Sequence, residues 1–304
     1  MSFHMKNAKA RRGLQAATVS LFAWFASVAH ADWDGLNMHE GVTILSKEIY
    51  GLHMKIFWYC CVIAVVVFGA MIFSLIRFRH SQGAVPDKTL VHSNKVEFVW
   101  TVIPILILVA MAIPTAKSLI KIEDMGNVEL NIKVTGYQWK WQYEYLGHDV
   151  TFFSTLKRDS DAARQLGSGI DPKSVPNYLL DVDNVLVIPA GTKVRFLLTA
   201  QDVIHAWWVP AFGMKKDAIP GYVNEIWVQV DADKVGTYRG QCAELCGRDH
   251  GFMPIVVEVK SPADFDTWLR AKQAEQKVAG GQSATEPVTS SPVIASAAAA
   301  AITQ

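Results

Sequence analysis

The sequence predicts a two-helix hairpin that spans a membrane, followed by an all-β domain with a barrel or sandwich fold. Two observations predict the hairpin: two long apolar runs, and a loop between them in which basic residues outnumber acidic ones. One observation predicts the β-domain, because short alternating strands punctuated by glycine and proline follow the second run. The formal net charge is only +1 over 304 residues, so the charge balance indicates no nucleic-acid partner.

The N-terminus has the pattern of an export signal. Basic residues come first, an apolar segment follows over residues 14–28, and Ala29-His30-Ala31 supplies a small-x-small cleavage pattern. The apolar segment is shorter than the roughly 20 residues that a spanning helix needs. We therefore predict a signal peptide over residues 1–31, with an uncleaved membrane anchor as the alternative, and we exclude these residues from the fold.

The two apolar runs predict transmembrane helices over about residues 56–76 and 98–120. The first run has no charged residue, and a helix of that length covers the roughly 30 Å hydrocarbon core of a bilayer. The second run contains Pro104 and Pro114, which membrane helices tolerate better than soluble ones. The adjacent cysteines of the first run are interpreted as small apolar side chains.

The membrane orientation follows from the export signal. If cleavage leaves residue 32 outside, two spans return the chain to the outside, and everything after about residue 122 is extracytoplasmic. The basic loop between the spans agrees with a cytoplasmic location. We expect a multi-pass protein of a bacterial inner membrane, with its C-terminal domain in the periplasm.

The β-domain is predicted over residues 128–272, including a short C-terminal helix, after a segment over 32–127 that holds the hairpin. Strands are expected within residues 128–145, on both sides of Pro189-Ala190-Gly191, within 223–242 and within 253–261. Residues 157–175, rich in Asp, Ser and Gly, are predicted to form an excursion between strands. Residues 273–304 are rich in Ala, Ser and Pro, which predicts a disordered tail.

The stretch GQCAELCGRDHGFMP contains four soft or imidazole side chains: Cys242, Cys246, His250 and Met253. A structural zinc site uses cysteine and histidine but has little use for methionine, and a disulfide needs only the cysteines. Sulfur and imidazole ligands together favour copper. We therefore expect a copper site on this loop, completed by a second imidazole from His205, at the end of the strand that begins near residue 193.

Two thiolates, two imidazoles and a thioether are more ligands than one copper ion needs. A mononuclear blue-copper site takes two histidines, one cysteine and a weak methionine. The additional cysteine indicates two copper ions bridged by both sulfur atoms, each with one histidine and one weak ligand. Because a bridged pair shares the transferred electron, little rearrangement accompanies transfer, which suits an electron relay.

Four segments resemble subunit II of the respiratory haem–copper cytochrome c oxidases: GQCAELCGRDHGFMP, VIHAWWVPAFGMKKDAIPG, GYQWKWQYEY and VEFVWTVIP. The resemblance covers the chain from about residue 39 to residue 268. It implies a helical hairpin carrying a cupredoxin-like barrel with a dinuclear Cu(A) centre. Such a chain accepts electrons from cytochrome c and passes them to the haem of subunit I, where dioxygen is reduced to water and protons are pumped.

The resemblance implies two bridging thiolates, one imidazole on each copper and two weak outer ligands. These groups are Cys242, Cys246, His205, His250, Met253 and the backbone carbonyl of Glu244. The side chain of Glu244 is further implied to bind a magnesium ion shared with subunit I, which suits the preference of Mg²⁺ for carboxylate oxygen. An ordinary loop carboxylate is the alternative for Glu244.

Two further residues gain a role from the resemblance. Trp139 matches the exposed tryptophan through which cytochrome c delivers its electron, and Glu97 matches a glutamate at the mouth of a proton-conducting channel of subunit I. An interfacial charge is the alternative for Glu97. For the aromatic residues of GYQWKWQYEY, expected on one face of a strand, core packing is the alternative; they are Tyr137, Trp139, Trp141 and Tyr143.

Acidic side chains near Trp139 are expected to meet a basic cytochrome c and to raise the association rate. These acids are Glu144, Asp149, Asp181, Asp183 and Asp202. The other expected partners are subunit I with its haem and Cu(B), subunit III and the lipid membrane. The chain alone is expected to have no oxidase activity.

Three other functions compete with this interpretation. A quinol oxidase subunit II shares the architecture but lacks the copper ligands. A thiol oxidoreductase is disfavoured because the loop cysteines are not spaced C-x-x-C and no βαβ pattern surrounds them. A membrane-tethered copper-delivery protein is the main alternative, although its exchangeable site contrasts with ligands drawn from two separated loops.

Overall fold

The computed structural model describes residues 35, 37–85, 89 and 92–283, so the predicted signal peptide lies outside the described residues. The chain divides into two compact units. Of the described residues, the first unit holds those before 42 and those within Ser46–Ser118, and the second holds Val42–Leu45 and those from Leu119 onward.

Among the described residues before the β-domain, two long helices are present: α1 (Ile44–Arg77) and α2 (Asn94–Ile122). Each contains one predicted span and extends beyond it at both ends. Both are long and apolar enough to cross a membrane. Many of their apolar side chains are exposed, as expected for surfaces that face lipid.

In the described part of the chain, the second unit contains a β-sandwich of two five-stranded sheets. One sheet is built from β1 (Leu130–Tyr137), β2 (Lys140–Tyr145), β3 (Val150–Ser154), β5 (Val194–Ala200) and β8 (Asn224–Val228). The other is built from β4 (Leu186–Pro189), β6 (His205–Val209), β7 (Met214–Ala218), β9 (Gly236–Cys242) and β10 (Pro254–Lys260). Their strand orders are β3-β2-β1-β5-β8 and β4-β10-β9-β6-β7.

Most neighbouring strands are antiparallel, but β1 pairs with β5 and β4 pairs with β10 in parallel. Successive side chains of a strand point to opposite faces, so each sheet turns one apolar row inward. Trp207 and Phe196 are fully buried, with ring centroids 4.8 Å apart. Such aromatic pairs account for much of the buried apolar area of a core. The predicted fold class, a two-helix hairpin followed by a β-sandwich, is confirmed.

A chain reversal splits the four aromatic residues expected on one face of a strand. Strand β1 ends at Tyr137, which pairs with Lys140 across a two-residue turn. The expectation that the four side chains share one face is therefore wrong. The alternation of side chains between the two faces of the sheet is interrupted at the turn and starts again in β2. Trp141 points into the core with 0% exposure, whereas Trp139 lies in the turn and is only half-buried.

Helix α4 (Pro262–Ser283) follows the last strand and continues past residue 272, where the predicted tail begins. The expectation of disorder is wrong for residues 273–283, because Ala, Gln, Glu and Lys in this stretch favour a helix. Gln276 also accepts a hydrogen bond from the backbone N–H of Thr151 at 3.1 Å. Residues 284–304 lie outside the described residues.

The predicted excursion after β3 contains one short helix, α3 (Arg158–Ala163), and a single 3₁₀ turn at Pro172–Ser174. Arg164 caps the C-terminal end of α3, and its backbone N–H donates to the carbonyl oxygen of Ser160 at 3.0 Å. The excursion therefore has a defined structure of its own between β3 and β4.

Candidate metal centre

Strands β6 and β9 lie side by side and carry the first two ligand candidates. Trp207 pairs with Cys242, so His205 at the start of β6 lies close to Cys242 at the end of β9. The Nδ1 atom of His205 lies 3.9 Å from the Sγ atom of Cys242. The two side chains are 0% and 5% exposed, respectively.

The strand predicted for His205 is wrong. Strand β5 ends at Ala200, residues 201–203 form a bend, and His205 is the first residue of β6 in the opposite sheet. His205 nevertheless lies close to the loop between β9 and β10 (residues 243–253, called the cysteine loop below), as expected. The reason is that β6 pairs directly with β9, the strand that precedes this loop.

The loop after β9 folds back so that Cys246 lies among the remaining candidates. Its Sγ atom is 3.8 Å from the Sγ of Cys242, 3.5 Å from the Nδ1 of His250 and 3.5 Å from the Sδ of Met253. The ligand atoms of His205, Cys242 and Cys246 all lie within 4.8 Å of one another. The five predicted side-chain ligands therefore converge on one small volume.

The spacing and chemistry of these atoms fit a bound copper. A separation of 3.8 Å between the sulfur atoms is too long for a disulfide, in which they lie about 2.05 Å apart. Metal–thiolate bonds of about 2.3 Å would let one ion contact both sulfur atoms. Thiolate, thioether and imidazole donors together select copper over hard cations.

Glu244 presents two different groups to its surroundings. Its backbone carbonyl oxygen lies 3.4 Å from the Sγ of Cys242, at the edge of the sulfur cluster. Its side chain is exposed. This arrangement is compatible with a carbonyl ligand and a carboxylate directed elsewhere, and both roles stay predictions.

Burial and neighbouring groups separate the pKa values of the two loop cysteines. Burial alone would raise the pKa of Cys242, but hydrogen bonds with His205 and with the backbone of Ala206 lower it to about 7. Burial and the adjacent charge of Cys242 raise the pKa of Cys246 to about 12. In the metal-free chain Cys242 is thus the more acidic thiol, and metal binding must displace the proton of Cys246.

Asp202 connects His205 to the hairpin that carries Trp139. Its Oδ1 atom lies 2.9 Å from the Nε2 of His205, and its Oδ2 accepts a hydrogen bond from the backbone N–H of Gln138 at 2.7 Å. A carboxylate on the far nitrogen fixes the ring orientation of a ligand histidine. The sequence alone suggests Asp202 only as a surface acid.

Replacing Asp202 by asparagine should weaken copper binding about 10- to 100-fold, the usual effect of losing a residue that hydrogen-bonds to a metal ligand. The amide oxygen can still accept a hydrogen bond, but it lacks the charge that supports the imidazole. Competition with a copper chelator measures the affinity. Asp233→Asn, at a side chain that is 77% exposed, is the matched control. Equal affinities in the two variants would contradict this role.

Trp139 lies against the cysteine loop. Its Nε1–H donates to the carbonyl oxygen of Cys246 at 3.1 Å, and the side-chain amide of Gln138 donates to the same oxygen at 2.9 Å. Gly247 makes this approach possible, because a Cβ there would lie 3.0 Å from the Nε2 of Gln138 and its φ is +113°. The indole is therefore one hydrogen bond from the backbone of a ligand candidate.

Glu97 lies in the first unit, in the first turn of α2, and is not part of this cluster. Its Oε1 atom accepts a hydrogen bond from the backbone N–H of Ser93 at 3.2 Å, a contact that caps the start of the helix. Its role at the mouth of a proton channel stays a prediction.

Two family models match the chain. Residues 130–260 match the periplasmic domain of cytochrome c oxidase subunit II, and residues 31–117 match the transmembrane domain of the same subunit. The first range coincides with the β-sandwich, and the second contains α1 and all of α2 except its last turn.

Curated relatives match over most of their length. The probable cytochrome c oxidase subunit 2 of Rickettsia bellii is 43% identical over 229 residues, which cover 75% of this chain and 80% of that protein. Cytochrome c oxidase subunit 2 of Arabidopsis thaliana is 36% identical over 239 residues, which cover 77% and 88%.

A solved structure gives a third comparison. The crystal structure of the periplasmic domain of subunit II of cytochrome oxidase from Bradyrhizobium japonicum is 38% identical. The match covers 50% of this chain and 99% of that one, with a TM-score of 0.42. On the family models and the curated relatives, the chain belongs to the cytochrome c oxidase subunit II family, as a membrane protein with an extracytoplasmic cupredoxin-like domain.

Proposed function

We propose that this chain is the electron-accepting subunit of a terminal cytochrome c oxidase and that it holds a dinuclear Cu(A) centre. Electrons pass from cytochrome c to this centre and then to the haem of subunit I, the site of dioxygen reduction coupled to proton pumping. The observation that carries the proposal is the convergence of five side chains on one volume. They are His205, Cys242, Cys246, His250 and Met253.

When bound, the copper pair supplies one-electron redox chemistry. Cys242 and Cys246 would hold the ions as shared thiolate ligands, and Met253 and the carbonyl of Glu244 would hold them as weaker ligands. The two histidines approach different sulfur atoms: His205 lies nearest Cys242 and His250 nearest Cys246. This division supports two ions with one imidazole each, in preference to a single ion that takes both.

The burial of the ligands favours a relay over a copper-delivery protein. A delivery protein must release its metal to a partner, which requires access to the site. Here Cys246 is 2% exposed, Met253 is 1% exposed and His205 is fully buried. The paired strands β6 and β9 also restrain His205 and Cys242, so their positions change little when the electron arrives.

The proposed partners and location follow the family. Subunit I with its haem and Cu(B), and subunit III, would surround the membrane hairpin in a bacterial inner membrane, with the β-domain in the periplasm. Trp139 is the proposed point at which the electron of cytochrome c enters. Its contact with the carbonyl of Cys246 supports this assignment, because the path from the indole to a ligand then needs one hydrogen bond.

Replacing Trp139 by alanine should slow reduction of the copper centre by cytochrome c about 30-fold. This corresponds to about 2 kcal/mol, the contribution of an aromatic anchor at the centre of an interface. Stopped-flow mixing of the assembled oxidase with reduced cytochrome c measures the rate, and metal analysis should find unchanged copper. Tyr222→Ala, at an aromatic side chain that is 59% exposed, is the control. Equal rates in the two variants would remove Trp139 from the path.

The carboxylate of Glu244 is proposed to bind a magnesium ion shared with subunit I. The support is that the side chain is exposed while the carbonyl of the same residue faces the sulfur cluster. Magnesium analysis of the assembled oxidase tests this proposal. Glu244→Gln should lower the magnesium content and leave the copper content unchanged, whereas normal magnesium content would refute the assignment.

A further inference from the structure

A cluster of ion pairs joins the excursion after β3 to the cysteine loop. The Nε atom of Arg164 lies 2.7 Å from the Oδ1 of Asp161, and its Nη1 lies 3.5 Å from the Oδ1 of Asp249. The centre of the same guanidinium group lies 4.3 Å from the centre of the Phe252 ring. Asp249 immediately precedes His250, so the cluster reaches the residue next to a proposed ligand.

Arg164 is the better shielded of the two cations at Asp249. The side chains of Arg164 and Asp249 are 21% and 15% exposed. Arg248 also approaches Asp249, with its Nε 3.4 Å from the Oδ1, but its side chain is 83% exposed. Because exposed ion pairs contribute little, Arg164 is the stronger anchor. Its planar guanidinium can pair with a carboxylate and stack on an aromatic ring at once.

The contacts of Arg164 restrain both ends of the short turn that presents His250. This 3₁₀ turn spans His250–Phe252, and the backbone N–H of Phe252 donates to the carbonyl oxygen of Asp249 at 2.9 Å. Arg164 holds the side chain of Asp249 on one side of the turn and that of Phe252 on the other. His250 lies between these two restrained residues.

Close packing does not restrain this turn on the side of the excursion. A solvent-open pocket of about 200 Å³ lies there, and its lining includes Trp139, Arg164, Asp249 and Phe252. Because this pocket is open to solvent, the side chains that face it make fewer of the packing contacts that normally hold a loop in place. The ion pair and the ring contact of Arg164 therefore carry the restraint that packing does not supply.

We propose that Arg164 is a positioning residue that holds the imidazole of His250 at the copper centre. The excursion between β3 and β4 then controls how firmly one of the two histidine ligands is kept in place. The inference rests on the proposed function for the identity of the metal. Arg164 should restrain the turn in the metal-free chain as well, because its contacts with Asp249 and Phe252 involve no metal.

Hydrogen exchange at the backbone amide of Phe252 tests the restraint without any metal. In the metal-free full-length chain, Arg164→Gln should make this exchange roughly tenfold faster, through loss of a shielded ion pair and a cation–π contact. The matched control is Arg158→Gln, which removes the same charge from an exposed position at the start of α3, the helix that Arg164 follows. It should leave the exchange unchanged. In the copper-loaded chain, loss of copper to a chelator should also be roughly tenfold faster for Arg164→Gln.

The outcomes separate this inference from the proposed function. Equal exchange at Phe252 in the Arg164→Gln and Arg158→Gln chains would overturn the inference, whether or not copper binds. Faster exchange in a chain that binds no copper would refute the proposed function and leave the restraint standing. Arg164→Lys keeps the charge but loses the planar group, and it should recover only part of the effect. Full recovery by lysine would assign the effect to charge alone and would overturn positioning by the ring contact.

Discussion

Replacing Cys246 by serine should abolish the proposed dinuclear centre and, with it, the proposed electron acceptance by the chain. The Sγ of Cys246 lies at the centre of the ligand set, between 3.5 and 3.8 Å from the ligand atoms of Cys242, His250 and Met253. A serine hydroxyl is a hard donor that stays protonated near pH 7, so it cannot bridge two copper ions. The rate of copper reduction should fall more than roughly 100-fold, which is the upper limit for losing a residue that only hydrogen-bonds to a metal ligand.

Copper analysis and stopped-flow kinetics of the assembled oxidase measure both effects. At most one copper per chain is expected in the Cys246→Ser protein. Cys60→Ser, at an exposed position of α1, is the matched control and should retain the full copper content. Two coppers per chain and unchanged kinetics in Cys246→Ser would contradict the bridging role.

Gly240→Ala should destabilise the β-domain strongly. A Cβ at residue 240 would overlap the carbonyl oxygen of Trp208 and lie 2.9 Å from the Cα of Val209. Both are backbone atoms of β6, which cannot move aside because β6 is paired with β7 and β9. We expect a loss of about 3 kcal/mol, near the upper end for overpacking. The Tm should fall by roughly 6–12 °C.

Thermal unfolding of the full-length chain in detergent, followed by circular dichroism, measures this loss. Gly251→Ala is the matched control, because no atom lies within 4 Å of the Cβ it would introduce. Its effect should stay within about 0.5 kcal/mol. Similar Tm values for the two variants would show that β6 can move away from β9, and strand pairing would then not restrain the two strands.

The sequence predicts the membrane helices well because the property that defines them is local. An uninterrupted apolar run of sufficient length specifies a span. The true ends of α1 and α2 are less visible, since their flanking turns contain polar residues that are compatible with a helix but do not raise the hydropathy. Helix α1 therefore begins at Ile44, well before the apolar run that predicts it.

The candidate metal ligands on the cysteine loop are predictable for a similar reason. Cys242, Cys246, His250 and Met253 lie within one short stretch, so their spacing already indicates a shared site. The strand and sheet to which His205 belongs are harder to predict. The alternation of apolar and polar residues does not show where β5 ends or which sheet β6 joins. Sheet order depends on long-range pairing, which no local pattern encodes.

The residues that support the ligands are not visible in the sequence. Asp202 contacts Gln138 across 64 positions, and Gln138 contacts the carbonyl of Cys246 across 108. In the sequence, Arg164 is one of several charged residues in the polar excursion, and only the fold shows that it pairs with Asp249. Each is a single polar residue without a periodic pattern, so only the three-dimensional arrangement reveals its partner.

The most direct test of the central claim is copper analysis combined with electron paramagnetic resonance on the full-length chain, purified in detergent and reconstituted with copper. The convergence of both thiols with two separate imidazoles predicts two coppers per chain and one unpaired electron whose hyperfine splitting arises from both nuclei. A single copper with a mononuclear spectrum, or stable zinc in place of copper, would contradict the dinuclear relay.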